Sequence, residues 1–342
     1  MSAQQPLPIA ISLGDPAGIG PELIAEAWAR RRKAGLAPFF VLGGATVLAA
    51  ASVRRGLDCP VHAISNAADA IDAFVHGLPV LAGEDAAYAP GAPDHAGARL
   101  ALASLIDATR LAREGGAAAL VTAPIAKVEL AKVGFDFPGQ TEFLAEACGA
   151  PAQNAVMMLA GPSLRTVPLT VHCALAEVPG LLSQELIIQK ARIVAAALAR
   201  DFGIDRPRLA LTGLNPHASE GGKFGDEEAR IIAPAVAELR EEGIDASGPH
   251  SADTLFTPRS RATFDAALCM YHDQALIPLK ALDFDEGVNV TLGLPIIRTS
   301  PDHGTAFDIA GKGIAGPGAM IAAIRMAGQM AARSAESQLT RG

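Results

Sequence analysis

The stretch that indicates the fold is Cys269-Met-Tyr-His-Asp-Gln-Ala-Leu-Ile-Pro-Leu-Lys280. It continues an apolar run that starts at Ala266 and is typical of a buried parallel strand. The polar side chains of His272, Asp273 and Gln274 follow directly where this strand is predicted to end. Because open α/β sheets carry their chemistry at the carboxyl ends of their strands, the stretch predicts a functional site in such a sheet.

The rest of the chain alternates between strand and helix patterns, which predicts a mostly parallel sheet covered by helices. The predicted strands are residues 8–13, 39–42, 61–64, 79–81, 118–122, 155–159, 166–171, 208–211 and 266–271. The predicted helices are residues 22–33, 46–55, 99–113, 138–148, 182–199, 227–241 and 316–336. A polar segment, residues 248–254, is predicted to be a loop.

Length and charge limit the classes of protein to which this chain can belong. Its 342 residues are enough for two domains or one large one, and half of them are apolar, as in an ordinary α/β enzyme. The net charge is −8, and the only basic cluster is Arg30-Arg-Arg-Lys33, late in a predicted helix. This charge pattern argues against nucleic acid as a partner.

Neither membrane insertion nor secretion is expected from the sequence. No apolar run approaches the ~20 residues that span a bilayer, and no basic segment precedes an apolar core near the N-terminus. The four cysteines are scattered without a CxxC pair, so we expect reduced thiols at Cys59, Cys148, Cys173 and Cys269. These features predict a cytoplasmic protein.

Three histidines are candidates for a metal site. His172, His217 and His272 each follow a predicted strand, directly or after a short loop. Because the ends of parallel strands meet at one edge of a sheet, these three side chains can converge. Three imidazoles that leave one position open are typical of a catalytic zinc-type site. The alternative is that each histidine only makes hydrogen bonds in the sheet.

Basic and polar residues follow His272 at short intervals. Lys280 suits proton transfer, and Arg298 suits a carboxylate or a phosphate. The alternative is surface ion pairing, which the apolar neighbours of Lys280 argue against. Thr141 lies in the first turn of a predicted helix, where free N–H groups bind anions, although it could equally be a plain N-cap.

The first strand leads into a glycine-rich turn and then a helix. The turn, Gly14-Asp-Pro-Ala-Gly-Ile-Gly-Pro-Glu22, matches neither the GxGxxG nor the Walker pattern. It is therefore either a tight strand–helix connection or a ligand loop of another kind.

Five motifs together resemble the 4-hydroxythreonine-4-phosphate dehydrogenase family of pyridoxal phosphate biosynthesis. They are Gly14-Asp-Pro-Ala-Gly-Ile-Gly-Pro-Glu22, Gly139-x-Thr-Glu-Phe143, Gly213-Leu-Asn-Pro-His-Ala-x-Glu220, Tyr271-His-Asp-Gln274 and Asp302-His-Gly-Thr-Ala-Phe-Asp308. The resemblance runs from residue 9 to about residue 326 in the family's order. It implies an α/β fold of two α/β/α domains with a cleft between them, like isocitrate and isopropylmalate dehydrogenases.

The resemblance also implies the composition of the site. A divalent metal (Zn, Co, Mg or Mn) would be bound by His172, His217 and His272. Substrate contacts would come from Gln140, Thr141, Lys280, Asn289 and Arg298, in a site at a homodimer interface. Catalytic roles are expected for Lys280, in proton transfer, and for His272, as a metal ligand.

A NAD(P) site is expected without a Rossmann fingerprint. The block Gly304-Thr-Ala-Phe-Asp-Ile-Ala-Gly-Lys-Gly313 is similar to the adenosine-binding loop of isopropylmalate and isocitrate dehydrogenases. Predicted cofactor contacts are Gly213, Asn215, Asp253, His303, Gly304 and Asp308. By the same similarity, residues 1–126 and 301–342 are expected to form one domain. Residues 127–300 would form the second, carrying most metal ligands and dimer contacts.

The implied activity is metal-dependent oxidation of 4-phosphohydroxy-L-threonine with NAD(P)+, then decarboxylation to 3-amino-2-oxopropyl phosphate. The chain departs from the family at Gln140, where the family usually has His, and after His172, where Cys173-Ala174 replaces a residue followed by Pro. One alternative is a related dehydrogenase of phosphorylated threonate or erythronate, or of an aromatic cis-dihydrodiol. Another is a metal-dependent hydrolase or lyase using the same histidines. A non-catalytic binding protein ranks last, because it needs neither three strand-end histidines nor a basic pocket.

Overall fold

A computed structural model of the protein describes residues 7–339. The chain folds into two compact units. The first unit contains residues 7–152 and 294–332, and the second contains residues 153–293 and 333–339. The domain boundaries expected from the sequence, after residues 126 and 300, stay a prediction.

The regular elements are short strands separated by helices and turns. The strands are β1 (Ile9–Ser12), β2 (Phe39–Leu42), β3 (Val61–Ile64), β4 (Leu78–Leu81), β5 (Ala119–Thr122), β6 (Val156–Ala160), β7 (Arg165–Pro168), β8 (Arg208–Thr212), β9 (Asp245–His250), β10 (Ala266–Cys269), β11 (Val288–Leu292) and β12 (Arg298–Pro301). The helices are α1 (Gly20–Ala29), α2 (Arg31–Ala34), α3 (Ala45–Arg54), α4 (Ala70–His76), α5 (His95–Arg113), α6 (Lys127–Ala131), α7 (Gln140–Ala147), α8 (Val178–Leu181), α9 (Gln184–Phe202), α10 (Ala233–Glu241), α11 (Ala252–Leu255), α12 (Pro258–Arg261), α13 (His272–Asp283) and α14 (Gly318–Leu339). No helix in the described part of the chain is long and apolar enough to cross a membrane.

The strands of the first unit are all parallel and follow the order β3-β4-β2-β1-β5-β12. Strands β1, β2 and β5 are buried along their whole length, as expected for parallel strands covered on both faces. Helix α5 packs on β1, β2 and β5, and α4 packs on β2 and β4. The register pairs Ser12 with Thr122, so these strands end side by side at one carboxyl edge.

The strands of the second unit follow the order β11-β6-β7-β10-β8-β9. The run β7-β10-β8-β9 is parallel, whereas β6 is antiparallel to both β7 and β11. Strands β7, β10 and β8 are the ones that precede His172, His272 and His217. These three strands are adjacent and parallel, so their carboxyl ends lie at one edge of the sheet.

Several elements were not predicted from the sequence, among them α4, α13, β9, β11 and β12. Strand β9 forms partly within the predicted loop at residues 248–254. Its sequence, Asp245-Ala-Ser-Gly-Pro-His250, lacks apolar alternation, and Pro249 is tolerated because β9 pairs only with β8 at the sheet edge. The predicted helix at residues 227–241 begins instead with a π-helical turn, Glu228–Ile232, before α10.

Candidate active site

Arg298 places a buried positive charge in the first unit. It is the first residue of β12, and its backbone lies opposite Leu120 of the neighbouring parallel strand β5. Its Nε and Nη2 atoms donate to Thr122 Oγ1 at 3.2 and 2.7 Å, so the side chain extends to the carboxyl end of β5. Burial lowers the pKa of Arg298 to about 10, which leaves the guanidinium charged at neutral pH.

Gln140 completes this site, which we call the anion site and define as Thr122, Gln140 and Arg298. Arg298 Nη2 donates to Gln140 Oε1 at 2.9 Å, and Gln140 Nε2 donates to the Ala123 carbonyl at 3.2 Å. Gln140 is the first residue of α7, so it joins the start of a helix to the end of β5. The fold therefore brings two predicted substrate residues, Gln140 and Arg298, into direct contact.

Thr141 does not cap α7. The N-cap position belongs to Gly139, whose extended backbone leads into the helix, and no side chain caps it. The plain N-cap interpretation of Thr141 is therefore wrong. The half-buried Thr141 lies in the first turn, where backbone N–H groups favour an anion.

His172 and His272 lie together in the second unit. Their ring centroids are 5.8 Å apart. Both histidines line one cavity of about 360 Å³, together with Cys173, Leu175, Tyr271 and Asp273. His272 is the first residue of α13, directly after the segment that follows β10. The histidine pair thus faces a space large enough for a small ligand.

Asp273 orients the imidazole of His272. The Nδ1 atom of His272 lies 2.7 Å from Asp273 Oδ1. Because a carboxylate only accepts hydrogen bonds, this contact puts the proton on Nδ1 and leaves Nε2 as the free lone pair. A carboxylate behind a histidine is the usual arrangement for a metal ligand.

His217 does not line the cavity that contains His172 and His272. It is exposed, on the turn Pro216–Glu220 that follows β8. Within residues 7–339, no group of three or more His, Cys, Asp or Glu side chains is arranged to hold a metal ion. The described chain therefore brings His172 and His272 together but does not gather all three predicted ligands.

Lys280 and Asn289 lie on two other elements of the second unit. Lys280 is half-buried on α13, about two turns beyond His272. Asn289 is in β11, opposite Leu159 of β6. Its Oδ1 is buried and has no hydrogen-bond partner among the described residues, so it is available to accept from a ligand.

The predicted cofactor residues of the first unit lie in the loop between β12 and α14. His303 Nδ1 contacts the Gly304 carbonyl at 3.1 Å, and its buried Nε2 lacks a partner in the part of the chain that is described. Gly304 borders open space, and Asp308 is exposed. The Ile19 N–H donates to the Thr305 carbonyl at 2.9 Å, so the glycine-rich turn after β1 supports this loop.

The predicted cofactor residues of the second unit make hydrogen bonds with other residues of that unit. Gly213 is buried, and its carbonyl accepts from Gln274 at 2.8 Å. The side-chain amide of Asn215 donates to Glu227 and Glu228. Asp253 is exposed on α11 and accepts from Ser251 Oγ at 2.6 Å.

Comparison with known proteins identifies the family. The family model described as pyridoxal phosphate biosynthetic protein PdxA matches residues 36–327. The chain belongs to the PdxA family. The expectation drawn from the five sequence motifs is confirmed.

Relatives of the PdxA family match almost the whole chain. A curated relative from Erythrobacter litoralis, named 4-hydroxythreonine-4-phosphate dehydrogenase, is 68% identical over 330 residues, covering 96% of this chain and 98% of the relative. The crystal structure of 4-hydroxythreonine-4-phosphate dehydrogenase from Klebsiella pneumoniae is 38% identical with a TM-score of 0.84, covering 96% of this chain and 99% of that one. The crystal structure of a terephthalate 1,2-cis-dihydrodiol dehydrogenase from Burkholderia xenovorans is 30% identical with a TM-score of 0.65, covering 94% and 98%. These likenesses confirm the α/β dehydrogenase-like fold.

A divalent metal, which the resemblance to the PdxA family implies, suits the second unit by ligand type. His272 presents Nε2, because Asp273 takes Nδ1, and the His172 ring lies beside it. Imidazole nitrogens bind zinc and other first-row divalent ions. Two donors thus lie close together, and a set of three requires His217 or another donor.

The role of Gln274, the last residue of the Tyr271-His-Asp-Gln274 motif, was not predicted from the sequence. Its Oε1 accepts from Thr212 Oγ1 at 2.6 Å and from the Met270 N–H at 2.7 Å. Together with its bond to Gly213, this buried amide joins the ends of β8 and β10. The helical period of α13 is the sequence feature that could have indicated this role. It places Gln274 on the buried face of the helix, and a buried amide needs hydrogen-bond partners.

Proposed function

We propose that the protein oxidises 4-phosphohydroxy-L-threonine with NAD+ or NADP+ in the presence of a divalent metal. The product would lose CO2 to give 3-amino-2-oxopropyl phosphate, in pyridoxal phosphate biosynthesis. This is the activity for which the curated relatives are named. The observation that carries the proposal is the buried guanidinium of Arg298, a fixed positive charge of the kind that binds phosphate.

Residues of the first unit would bind the phosphate and the cofactor. Arg298 would hold the phosphate oxygens, and its own position is fixed by Thr122 and Gln140. The first turn of α7 adds N–H groups and a favourable dipole. The unpartnered Nε2 of His303 and the open surface at Gly304 support a cofactor contact in that loop. NAD(P)+ would accept the hydride.

Residues of the second unit would handle the reacting part of the substrate. Asn289 Oδ1 is a buried acceptor that would take a hydrogen bond from the amino or hydroxyl group of the substrate. Lys280 would carry the proton, directly or through water. When bound, a Zn, Co, Mg or Mn ion supplies Lewis acidity toward the substrate oxygen atoms. His172 and His272 would be two of its ligands, and His217 the third.

We also propose that the protein acts as a cytoplasmic homodimer whose metal ligands come from both protomers. The second unit exposes large apolar side chains on and near the elements that carry the histidines. They are Leu175 at 66%, Ile277 at 65% and Phe284 at 73% exposure. Ile277 lies on α13, which begins at His272, and Phe284 directly follows the last residue of that helix. Burying these apolar side chains against a second copy of the chain would remove them from water and would therefore favour a dimer.

Mixing two inactive variants tests the shared site. His217→Ala and His272→Ala each remove one ligand, so each homodimer should be inactive. If His217 and His272 of one metal site belong to different protomers, a mixed dimer regains one intact site and part of the activity. Refolding the two variants together and assaying turnover gives the answer. Recovery no greater than the sum of the separate variants would contradict the shared site.

A second candidate substrate class is favoured by Gln140. The Gln140 side chain is neutral, and Arg298 binds carboxylates as well as phosphates. The Burkholderia relative is named for a dihydrodiol of terephthalate, a dicarboxylate. A dehydrogenase of that kind, or one acting on phosphorylated threonate or erythronate, would use the same anion site.

A substrate panel tests the proposed function against these alternatives. NADH or NADPH formation is followed with 4-phosphohydroxy-L-threonine, 4-hydroxy-L-threonine, phosphorylated erythronate and threonate, and a carboxylated cis-dihydrodiol. We expect the highest kcat/KM for the phosphorylated amino acid. A higher value for any other member of the panel would reassign the substrate. If no member reduces either nucleotide while bond hydrolysis or cleavage is seen, the hydrolase or lyase alternative stands.

A further inference from the structure

The turn that presents His217 has an unfavourable backbone conformation. His217, Ala218, Ser219 and Glu220 are consecutive and have φ angles of 52°, 49°, 64° and 46°. Left-handed backbone brings the Cβ of an L-residue close to its own carbonyl oxygen, so only glycine adopts it freely. A run of four such residues persists only where the surrounding structure holds it.

Glu228 is the group that holds this turn. Its carboxylate accepts the backbone N–H of Asn215 at 2.8 Å and the side-chain amide of Asn215 at 3.0 Å. It also takes a backbone hydrogen bond from Leu214. Glu228 is only 3% exposed, and these donors lower its pKa although burial acts in the opposite direction. A charged, buried acceptor therefore fixes the two residues that lead into the turn.

The elements around Glu228 leave room for this arrangement. A Cβ at Gly213 would lie 2.9 Å from the Ala218 Cα and 3.0 Å from Glu228 Oε1, so only glycine fits there. Glu228 is the first residue of the π-helical turn, an irregularity that is common at functional sites. The glycine, the π turn and the carboxylate all serve the same local conformation.

We infer that Glu228 is a positioning residue for His217: its carboxylate holds the left-handed turn that brings the His217 imidazole to the metal. The link to the reaction rests on the proposed metal dependence. The hold on the turn itself rests only on the contacts of Glu228 with Leu214 and Asn215.

Glu228→Gln tests the inference in the full-length protein. Glutamine has nearly the same volume as glutamate, but its terminal amide nitrogen is a donor and would face another N–H donor. Co2+ binding is measured by calorimetry, and amide hydrogen exchange of residues 214–222 by mass spectrometry. We expect the Co2+ Kd to rise about 10- to 100-fold, as for other residues that support metal ligands. Exchange of the turn should rise as well, and saturating Co2+ should recover most of the turnover.

Glu227→Gln is the matched control. Glu227 accepts only the side-chain amide of Asn215, at 2.8 Å, and a glutamine oxygen can still do so. We expect its Co2+ Kd to stay within about threefold of wild type, the range of one neutral hydrogen bond. A Glu228→Gln protein that binds Co2+ and exchanges its turn amides like wild type would overturn the inference.

Two further measurements keep the inference testable. If Glu228→Gln does not fold, Asn215→Ala decides, because it removes the side-chain half of the same contact and should raise the Co2+ Kd and the exchange of the turn. Unchanged values in that variant would overturn the inference. If the wild-type protein binds no Co2+, the proposed metal dependence fails, and hydrogen exchange alone decides whether Glu228 holds the turn.

Discussion

Arg298 of the first unit is 5% exposed in regular β-structure, whereas His217 of the second unit is exposed on a left-handed turn. Arg298 is the first residue of β12 and His217 lies beyond the end of β8, and the two positions are fixed by different means. Arg298 is held by hydrogen bonds from its own side chain to Thr122 and Gln140. His217 is held through its backbone, by Glu228 acting on the residues before it.

The positive-φ residues show where backbone strain is located. Among residues 7–339, six non-glycine residues have positive φ, and five of them are His172 and the run from His217 to Glu220. Strain of this kind collects at functional sites because other contacts offset it. We define His172, His217 and His272 as the histidine edge. Loss of a supporting contact should therefore make the backbone of the histidine edge more mobile. In the anion site, loss of a supporting contact should alter ligand binding at one side chain.

The largest effect is expected when the histidine edge loses the proposed metal or one of its proposed ligands. Chelation, or His272→Ala, should lower turnover by at least about a thousandfold, because a metal supplies several kcal/mol of transition-state stabilisation. Zn2+, Co2+, Mn2+ or Mg2+ should restore the chelated wild type but not the variant. Turnover and Co2+ binding are measured, with His76→Ala, an exposed histidine at the end of α4, as control. Full activity after chelation would make the histidines structural.

The second largest effect is expected at the anion site. Arg298→Met removes the guanidinium, and each charge-assisted bond to a phosphate contributes roughly 1.5–3 kcal/mol, so two bonds amount to about a hundredfold or more in kcat/KM. The non-phosphorylated substrate should be much less affected. Arg32→Met, at an exposed position of α2, is the control. An equal loss on both substrates would show that Arg298 supports the fold rather than the phosphate.

The sequence predicts the location of both sites because strand ends are encoded locally. The apolar run before His272 and the strand before His217 are visible as patterns, and parallel topology then brings the ends to one edge. The family motifs add the likeness to known dehydrogenases. The strand β9 and the π turn are not encoded in this way. Strand β9 is stabilised by pairing with β8, and the π turn by contacts of Glu228 with distant residues.

The conformation of each site depends on partners that lie far away in the chain. The sequence does not indicate positive φ at Ala218, Ser219 and Glu220, because only His217 in this run belongs to a residue type that is enriched there. The partners of Gln140 are 17 and 158 residues away, and those of Gln274 include Gly213, 61 residues away. Such contacts are decided by packing, so the sequence indicates candidate site residues but not the contacts that support them.

The pH dependence of stability tests whether Lys190 supports the segment that leads to His172. It donates to the Leu169 carbonyl at 2.8 Å, just before the segment that carries His172. Burial lowers the pKa of Lys190 from 10.5 to about 8. Between these values the unfolded chain binds more protons than the folded one. The free energy of unfolding should therefore rise with pH across this window, by up to about 3 kcal/mol.

The Lys190 contribution is isolated by difference. Urea unfolding of wild type and Lys190→Met is measured from pH 7 to pH 10, and the wild-type value minus the variant value should increase with pH. Lys132→Met, whose lysine pairs with Glu129 at the surface, should show no such trend. A difference independent of pH would mean that Lys190 keeps an ordinary environment.

The smallest effect is expected at Gln140. Variants of this residue distinguish a side chain that only holds Arg298 in place from one that contacts the substrate directly. Its Oε1 accepts from Arg298, and one hydrogen of its Nε2 goes to the Ala123 carbonyl, which leaves a single amide hydrogen for a ligand. Gln140→Ala removes the one hydrogen bond that this neutral amide can still donate to the substrate. Loss of about 0.5–1.5 kcal/mol should raise KM roughly three- to tenfold. The kcat should change little, because ground and transition states share the contact.

Two more variants decide which of the two contacts matters. Gln140→His should be tolerated, because a neutral imidazole can accept from Arg298, and KM should then rise at low pH as the ring is protonated and repels the guanidinium. Gln140→Glu should be worse than Gln140→Ala, because a carboxylate on Arg298 neutralises the charge meant for the phosphate. If Gln140→Glu binds the phosphorylated substrate as well as wild type, the phosphate does not depend on Arg298. If Gln140→Ala leaves KM unchanged, Gln140 neither contacts the substrate nor fixes Arg298. A collapse of kcat in Gln140→Ala would instead place the residue in the chemical step.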